Sequence, residues 1–207
     1  MYTGITRGLF EVTRVERAPD LLRYEVELGA ELCAGLEPGA SVAIDGVCQT
    51  VVGVDGSRVL FEAIRETLAR TTLGELEAGA RVSVERSARV GDELGGHDVA
   101  GHVIGTGEIA ELRREGHDVA LAIAVPAAWM RYILAKGFVA VDGSSLTVGE
   151  VDPAGRFRVH LIPETLRRTK LGAKRVGERV NIELDPRTVA IVDTVERVLA
   201  ARAAAES

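Results

Sequence analysis

Two segments of the chain repeat one pattern around different nucleophilic atoms. IDGVCQTV (44–51) and VDGSSLTV (141–148) share Asp-Gly and Thr-Val in register, but the position two after the glycine is Cys48 in one and Ser145 in the other. A thiol titrates near ~8.5, whereas a serine hydroxyl does not ionise in this range, so equivalent positions offer unlike chemistry. A lone Cys48 reads as an inert buried thiol; its place in a repeated segment turns it towards a ligand. Thr50 and Thr147 recur in the same segments. They read either as β-branched strand residues or as hydroxyls bonding a ligand, and their recurrence favours the second. His97 and His102 stand five apart with no third ligand in a sensible pattern, which argues against a metal site.

The elements that must position these residues are also written twice. ETLARTTLG (66–74) and ETLRRTKLG (164–172) agree at seven of nine positions at an offset of 98, and RVSVE (81–85) pairs with RVNIE (179–183) at the same offset. GITRGLFEV (4–12) pairs with GHVIGTGEI (101–109) at 97, the offset of the Cys48 and Ser145 segments. The extra residue enters where VDGS (54–57) becomes VDPAG (151–155), a hairpin tip, where a sheet tolerates added chain. Asp-Gly between β-rich runs is a hairpin signal. The ETLxRTxLG segments predict a helical turn ended by Gly74 or Gly172. About six strands per half, with no room for crossover helices, predict a small closed barrel or sandwich.

After the second copy the pattern changes. Asp185 can cap a helix whose first turn accepts Pro186, and Val189, Val192, Val195, Val198 and Leu199 form an apolar stripe at helical spacing. The stripe packs either on the chain's own barrels or on the same helix of other subunits. The fold expected is therefore all-β, two tandem homologous six-stranded antiparallel barrels over 1–96 and 97–185, followed by a C-terminal α-helix over 186–207.

Of the 207 residues, 46% are hydrophobic and 27% charged, with 23 glycines and a net charge of −6, the composition of an ordinary soluble globular protein. Basic residues are scattered among acids, which argues against a nucleic-acid partner. The most apolar stretch (119–141) is broken by Pro126, Arg131 and Lys136, too often for one uninterrupted membrane helix. MYTGITRGLFEV lacks the pattern of a signal peptide. Cys33 and Cys48 are expected as free thiols in a cytoplasmic protein. His117 sits in a polar turn and is assigned no function; the Glu and Arg run at 111–115 reads as a solvated loop, and Trp129 as a packing residue.

MYTGI, GGHDVAGHVIGTG (95–107), the paired DGVCQTV and DGSSLTV, the paired ETLxRTxLG and the final NIELDPRT-helix together resemble riboflavin synthase from Met1 to the terminal helix. The resemblance implies a homotrimer of duplicated barrels joined by the C-terminal helices. It implies dismutation of two 6,7-dimethyl-8-ribityllumazine molecules into riboflavin and 5-amino-6-ribitylamino-uracil, with no metal or organic cofactor. Two identical reactants must play unlike parts, which accounts for two related pockets that differ at 48 and 145.

Three segments per barrel carry over as substrate-binding. The first barrel's are Gly4, Ile5 and Thr6; Cys48, Gln49 and Thr50; and Glu62, Ala63, Ile64, Arg65, Glu66 and Thr67. The second barrel's are Gly101, His102 and Val103; Ser145, Leu146 and Thr147; and His160, Leu161, Ile162, Pro163, Glu164 and Thr165, with Lys136 nearby. Each active site is completed by a neighbouring subunit. His102 is the expected group for proton transfer from the donor's C7 methyl, its alternative being a histidine that bonds the backbone. Cys48, Ser145 and Thr147 are expected at the reacting carbon, and Asp185 near it as well as at the helix cap. Tyr2, Gln49, Ser144 and Ile104 depart from the commoner Phe, Leu, Ile and Asp; Gln49 and Ser144 make the strand interior more polar. Two other readings stand beside the enzyme: a non-catalytic lumazine or flavin antenna protein of the same fold, and a flavin-binding reductase barrel. The reductase wants a nucleotide-binding α/β domain for which the chain has no room.

Overall fold

A computed structural model describes residues 1–116 and 118–205; His117 lies outside the described residues. Strands β1 (Gly8–Ala18), β2 (Leu21–Glu27), β3 (Ser41–Ile44), β4 (Val47–Asp55), β5 (Arg58–Ile64) and β6 (Arg81–Arg86) close into a barrel in the order β1-β2-β5-β4-β3-β6. Strands β7 (Gly105–Glu115), β8 (Asp118–Ala124), β9 (Phe138–Val141), β10 (Ser144–Asp152), β11 (Arg156–Leu161) and β12 (Arg179–Leu184) close the second by the same antiparallel circuit. The run at 111–115 is thus the exposed end of β7 and not a loop, its charges facing water while Leu112 packs towards the core.

Sequence alternation produces both cores. Leu22, Tyr24 and Val26 point inward from β2 and meet Val59 and Phe61 of β5, with the Tyr24 and Phe61 rings stacked at 5.5 Å. Leu121, Ile123, Val159 and Phe157 do the same in the second barrel. Bulges at Val12/Arg14 and Val51/Gly53 recur at Ile109/Glu111 and Val148/Val151, where they bend the strands enough to close so small a barrel. The inserted residue does lie at a tip: two residues join β4 to β5 and three join β10 to β11.

Helix α1 (Gly29–Cys33) follows β2; α2 (Arg65–Arg70) and α3 (Pro163–Arg168) follow β5 and β11, each continued by a 3₁₀ turn, Thr72–Glu75 and Lys170–Ala173. Gly74 and Gly172 fall inside these turns and do not end the α-helices, which stop at Thr71 and Thr169. A Cβ at Gly74 would stand 3.1 Å from the Leu68 carbonyl oxygen, so glycine eases a close approach here and does not act as a cap.

The halves meet through their Asp-Gly turns. Asp45 and Gly46 have φ of 47° and 79°, Asp142 and Gly143 44° and 78°, the paired positive values of tight hairpins. The turns cross so closely that a Cβ on Gly46 would lie 2.3 Å from the Gly143 nitrogen. Both aspartates are fully buried there, each accepting a 2.8 Å bond from a backbone amide, that of Ser83 or Asn181. Lys170 Nζ from the second half reaches Asp45 at 2.5 Å, while Lys174 stands 4.0 Å from Asp142.

Helix α4 (Pro186–Ala205) rests one edge on the second barrel through Val189 and through a 2.6 Å bond from Tyr132 Oη to Asp193. Ile191, Val195, Val198 and Leu199 stay exposed. Among the described residues no helix is long and apolar enough to cross a membrane.

Candidate functional site

Ser145 is the second residue of β10, just past the Asp-Gly turn, and is partly buried. Its Oγ lies 2.6 Å from Nδ1 of His97, whose ring stacks on Phe138 at 5.1 Å between centroids. Burial pushes the imidazole's pKa down, against the pull of Asp185 and Asp98 upward, and its Nε2 is buried without a hydrogen-bond partner among the described residues. A neutral imidazole at this distance can accept a proton from the serine hydroxyl and return it. Ser145 also lines a cavity of about 270 Å³ with Gly4, Ile5, Thr6, Ile162 and Thr165. Behind it, His97, Phe138, Asp185 and Tyr2 line a second cavity of about 460 Å³.

Cys48 occupies the equivalent position on β4 and is likewise partly buried; both it and Cys33 are free thiols. Its backbone N–H donates to the carbonyl of Gly101 at 2.9 Å, and that of Ser145 donates to the carbonyl of Gly4 at 2.9 Å. The strap leading into each barrel therefore lies across the other barrel's strand. Pairing 4–6 with Cys48, and 101–103 with Ser145, is corrected by this exchange: residues 4–6 belong with Ser145 and 162–165, residues 101–103 with Cys48. The glycines are required: a Cβ at Gly4 would come within 2.5 Å of Ser145 Cβ, and one at Gly101 within 2.6 Å of Cys48 Cβ.

Two buried carboxylates hold the straps, and neither was singled out from the sequence. Glu85 accepts from the amides of Thr3 at 2.7 Å and Gly4 at 3.0 Å; Glu183 accepts from Ala100 at 2.7 Å and Gly101 at 2.9 Å. Desolvation pushes both carboxyls upward while the amide bonds oppose it. The available signal was their repetition as the last residue of RVSVE and RVNIE.

The other expected residues divide by strand face. Thr50 and Thr147 are exposed on the face that carries Cys48 and Ser145. Gln49 and Leu146 point into the barrels, as do Ala63 and Leu161, so their side chains belong to the cores and only their backbone faces outward. Gln49 accepts from Tyr24 Oη at 3.2 Å and donates to the Cys48 carbonyl at 2.9 Å. Ile64 and Ile162 are exposed beside Arg65 and Pro163, at the entrances to α2 and α3, with Glu66, Thr67, Glu164 and Thr165 in the first turns. Glu62 bonds Arg23 at 2.9 Å and His160 meets Asp118 at 3.1 Å, both pairs across strands. Lys136 is exposed with φ 67°, its N–H donating to Val148. Asp185 caps α4, accepting from the Thr188 amide at 3.0 Å, and faces the His97 cavity. His102 is exposed on the strap over Cys48, next to the partly buried Val103, so the histidine beside Ser145 is His97 and not His102.

A lumazine binding domain model matches twice, over residues 3–87 and 100–185, so the chain is a tandem of lumazine-binding barrels. Among solved structures, LumP complexed with riboflavin superposes with a TM-score of 0.82 at 23% identity, covering 89% of this chain and 99% of that one. LumP complexed with 6,7-dimethyl-8-(1′-D-ribityl) lumazine follows at 0.79 and 22%, with the same coverage. Riboflavin synthase of Escherichia coli K12 is 50% identical over 203 residues, 98% of this chain and 95% of that protein. Riboflavin synthase of Chlamydia pneumoniae is 43% identical over 97% of this chain and 98% of its own. The chain belongs to the riboflavin synthase family.

Proposed function

We propose that the chain is a riboflavin-forming transferase: two 6,7-dimethyl-8-ribityllumazine molecules react, one passing a four-carbon unit to the other, to give riboflavin and 5-amino-6-ribitylamino-uracil. The observation that carries this reading is 50% identity to a riboflavin synthase along 98% of the chain. The duplicated positions 48 and 145 supply the inequivalence that the dismutation requires. Strand amides and the hydroxyls of Thr50 and Thr147 suit a flat heterocycle fringed with carbonyl and ring-nitrogen acceptors. In this reading one substrate lies against Ser145, under the strap 4–6 and beside 162–165, and the other against Cys48, under the strap 101–103 and beside 62–67. Ser145 and His97 together move a proton at the first. Lys136 stands near the first, and a neighbouring subunit completes each site, in a trimer joined by the exposed face of α4.

Incubation with the lumazine alone should generate riboflavin fluorescence and consume two substrates per product. Tight binding without turnover would instead support an antenna role. Ser145→Ala and Cys48→Ala should impair different steps, one mainly the deprotonation of bound substrate and the other the later transfer, resolved by single-turnover kinetics; superimposable time courses would remove the inequivalence.

A further inference from the structure

Position 2 is where the internal two-fold relation between the halves fails most sharply. Tyr2 and Val99 are equivalent at the offset of 97, and they pair with one another: the Tyr2 amide donates to the Val99 carbonyl at 2.6 Å and the Val99 amide to the Tyr2 carbonyl at 3.1 Å. Both are 1% exposed, packed with another equivalent pair, Ala43 and Ala140. Tyr2 alone carries a polar tip, and its Oη lies 3.2 Å from Cys48 Sγ. Val99 has nothing with which to reach Ser145. That place is taken by His97. The thiol thus faces a phenol and the hydroxyl an imidazole.

We propose that Tyr2 is a positioning residue for the Cys48 pocket: its buried hydroxyl donates to the sulfur and fixes the rotamer of that side chain. This rests on the reading that Cys48 faces a substrate. The phenol is suited to the task because it keeps its proton. Burial, the bond to Cys48 and the charge of Glu85 push its ionisation far above the usual tyrosine range, with a bond from Ser41 as the opposing influence. Glu85 is the carboxylate facing this hydroxyl, and Glu183 holds the strap over Cys48 from the other side. The two reactive atoms are therefore differentiated by what stands behind them as well as by element.

Tyr2→Phe keeps the ring and removes only the hydroxyl. Site-resolved iodoacetamide labelling, read by mass spectrometry so that Cys48 is separated from Cys33, needs no turnover and is independent of the enzymatic reading. At one fixed pH the Cys48 alkylation rate should change by about threefold or more in the variant while that of Cys33 stays level, because the sulfur loses the donor that fixes its rotamer. An unchanged Cys48 rate overturns the proposal, and an equal change at Cys33 does so too, since general loosening alone would produce that. A second arm covers misfolding of the variant: Cys48→Ala in protein labelled at tyrosine Cζ should shift the Tyr2 resonance, and an unshifted resonance overturns the contact. If labelling behaves as expected while the lumazine assay gives no riboflavin, the contact stands and the enzymatic reading falls.

Discussion

Tyr24 and Gln49 share a hydrogen bond inside the first barrel, whereas the second has Leu121 and Leu146 at the same two positions. A buried phenol needs an acceptor, and two leucines need none. Gln49→Leu alone should therefore cost about 1–3 kcal/mol, by leaving the Tyr24 hydroxyl buried and unsatisfied. Adding Tyr24→Phe should recover most of that loss, copying the second barrel; urea denaturation of both singles and the double measures the coupling. The inward position of Gln49 was legible from simple alternation, since Cys48 and Thr50 flank it on the opposite face. The pairing of Ser145 with His97 was not legible. A strap outside the strands has no period that tells which of two histidines turns towards the serine.

At the scale of elements, the repeat announced both barrels, their Asp-Gly turns and the tip that absorbs the extra residue. It did not announce that the straps trade places. Equivalence tells that residues 4 and 101 do the same job, but the docking partner of each is set by how the halves pack. The exchange makes Glu85 and Glu183 act at a distance. Glu85→Ala releases the Gly4 strap and should speed hydrogen exchange at the Ser145 amide, which bonds the Gly4 carbonyl. Glu183→Ala should do so at the Cys48 amide. Each effect should be at least about tenfold, the loss of one charge-assisted bond, and each should appear in the barrel that the mutation does not touch. Acceleration confined to the mutated barrel would refute the exchange.

The molecule as a whole is held together at the crossed turns, where charge is buried. Lys170→Met would leave the buried Asp45 side chain without its ion-pair partner, at a cost of about 3–5 kcal/mol in chemical denaturation. Asp142 is less well matched, one carboxylate oxygen accepting no hydrogen bond among the described residues and standing 4.0 Å from Lys174, and burial pushes its pKa up to about 6. A carboxyl raised above its ordinary value binds its proton more tightly in the folded state. Its contribution to stability is therefore greatest below about pH 4 and fades as the pH rises towards 6. Melting curves of the parent and Asp142→Asn should differ by an amount that changes across this window and is level above it; a constant difference would show that the carboxyl does not titrate there. Composition and repeats foretold none of this, because an Asp-Gly turn reads as solvent-exposed until a second copy of itself is laid across it.

The crossed straps also impose an order of events on biosynthesis. A chain leaving the ribosome presents residues 2–4 well before the strand on which they must settle, which is made only after the rest of the leading half and part of the trailing one. The first barrel can close its walls early, but it waits for its sibling to lend the crosspiece that finishes its bowl, and it lends one in return. Either half expressed by itself would be a vessel with an unfinished rim.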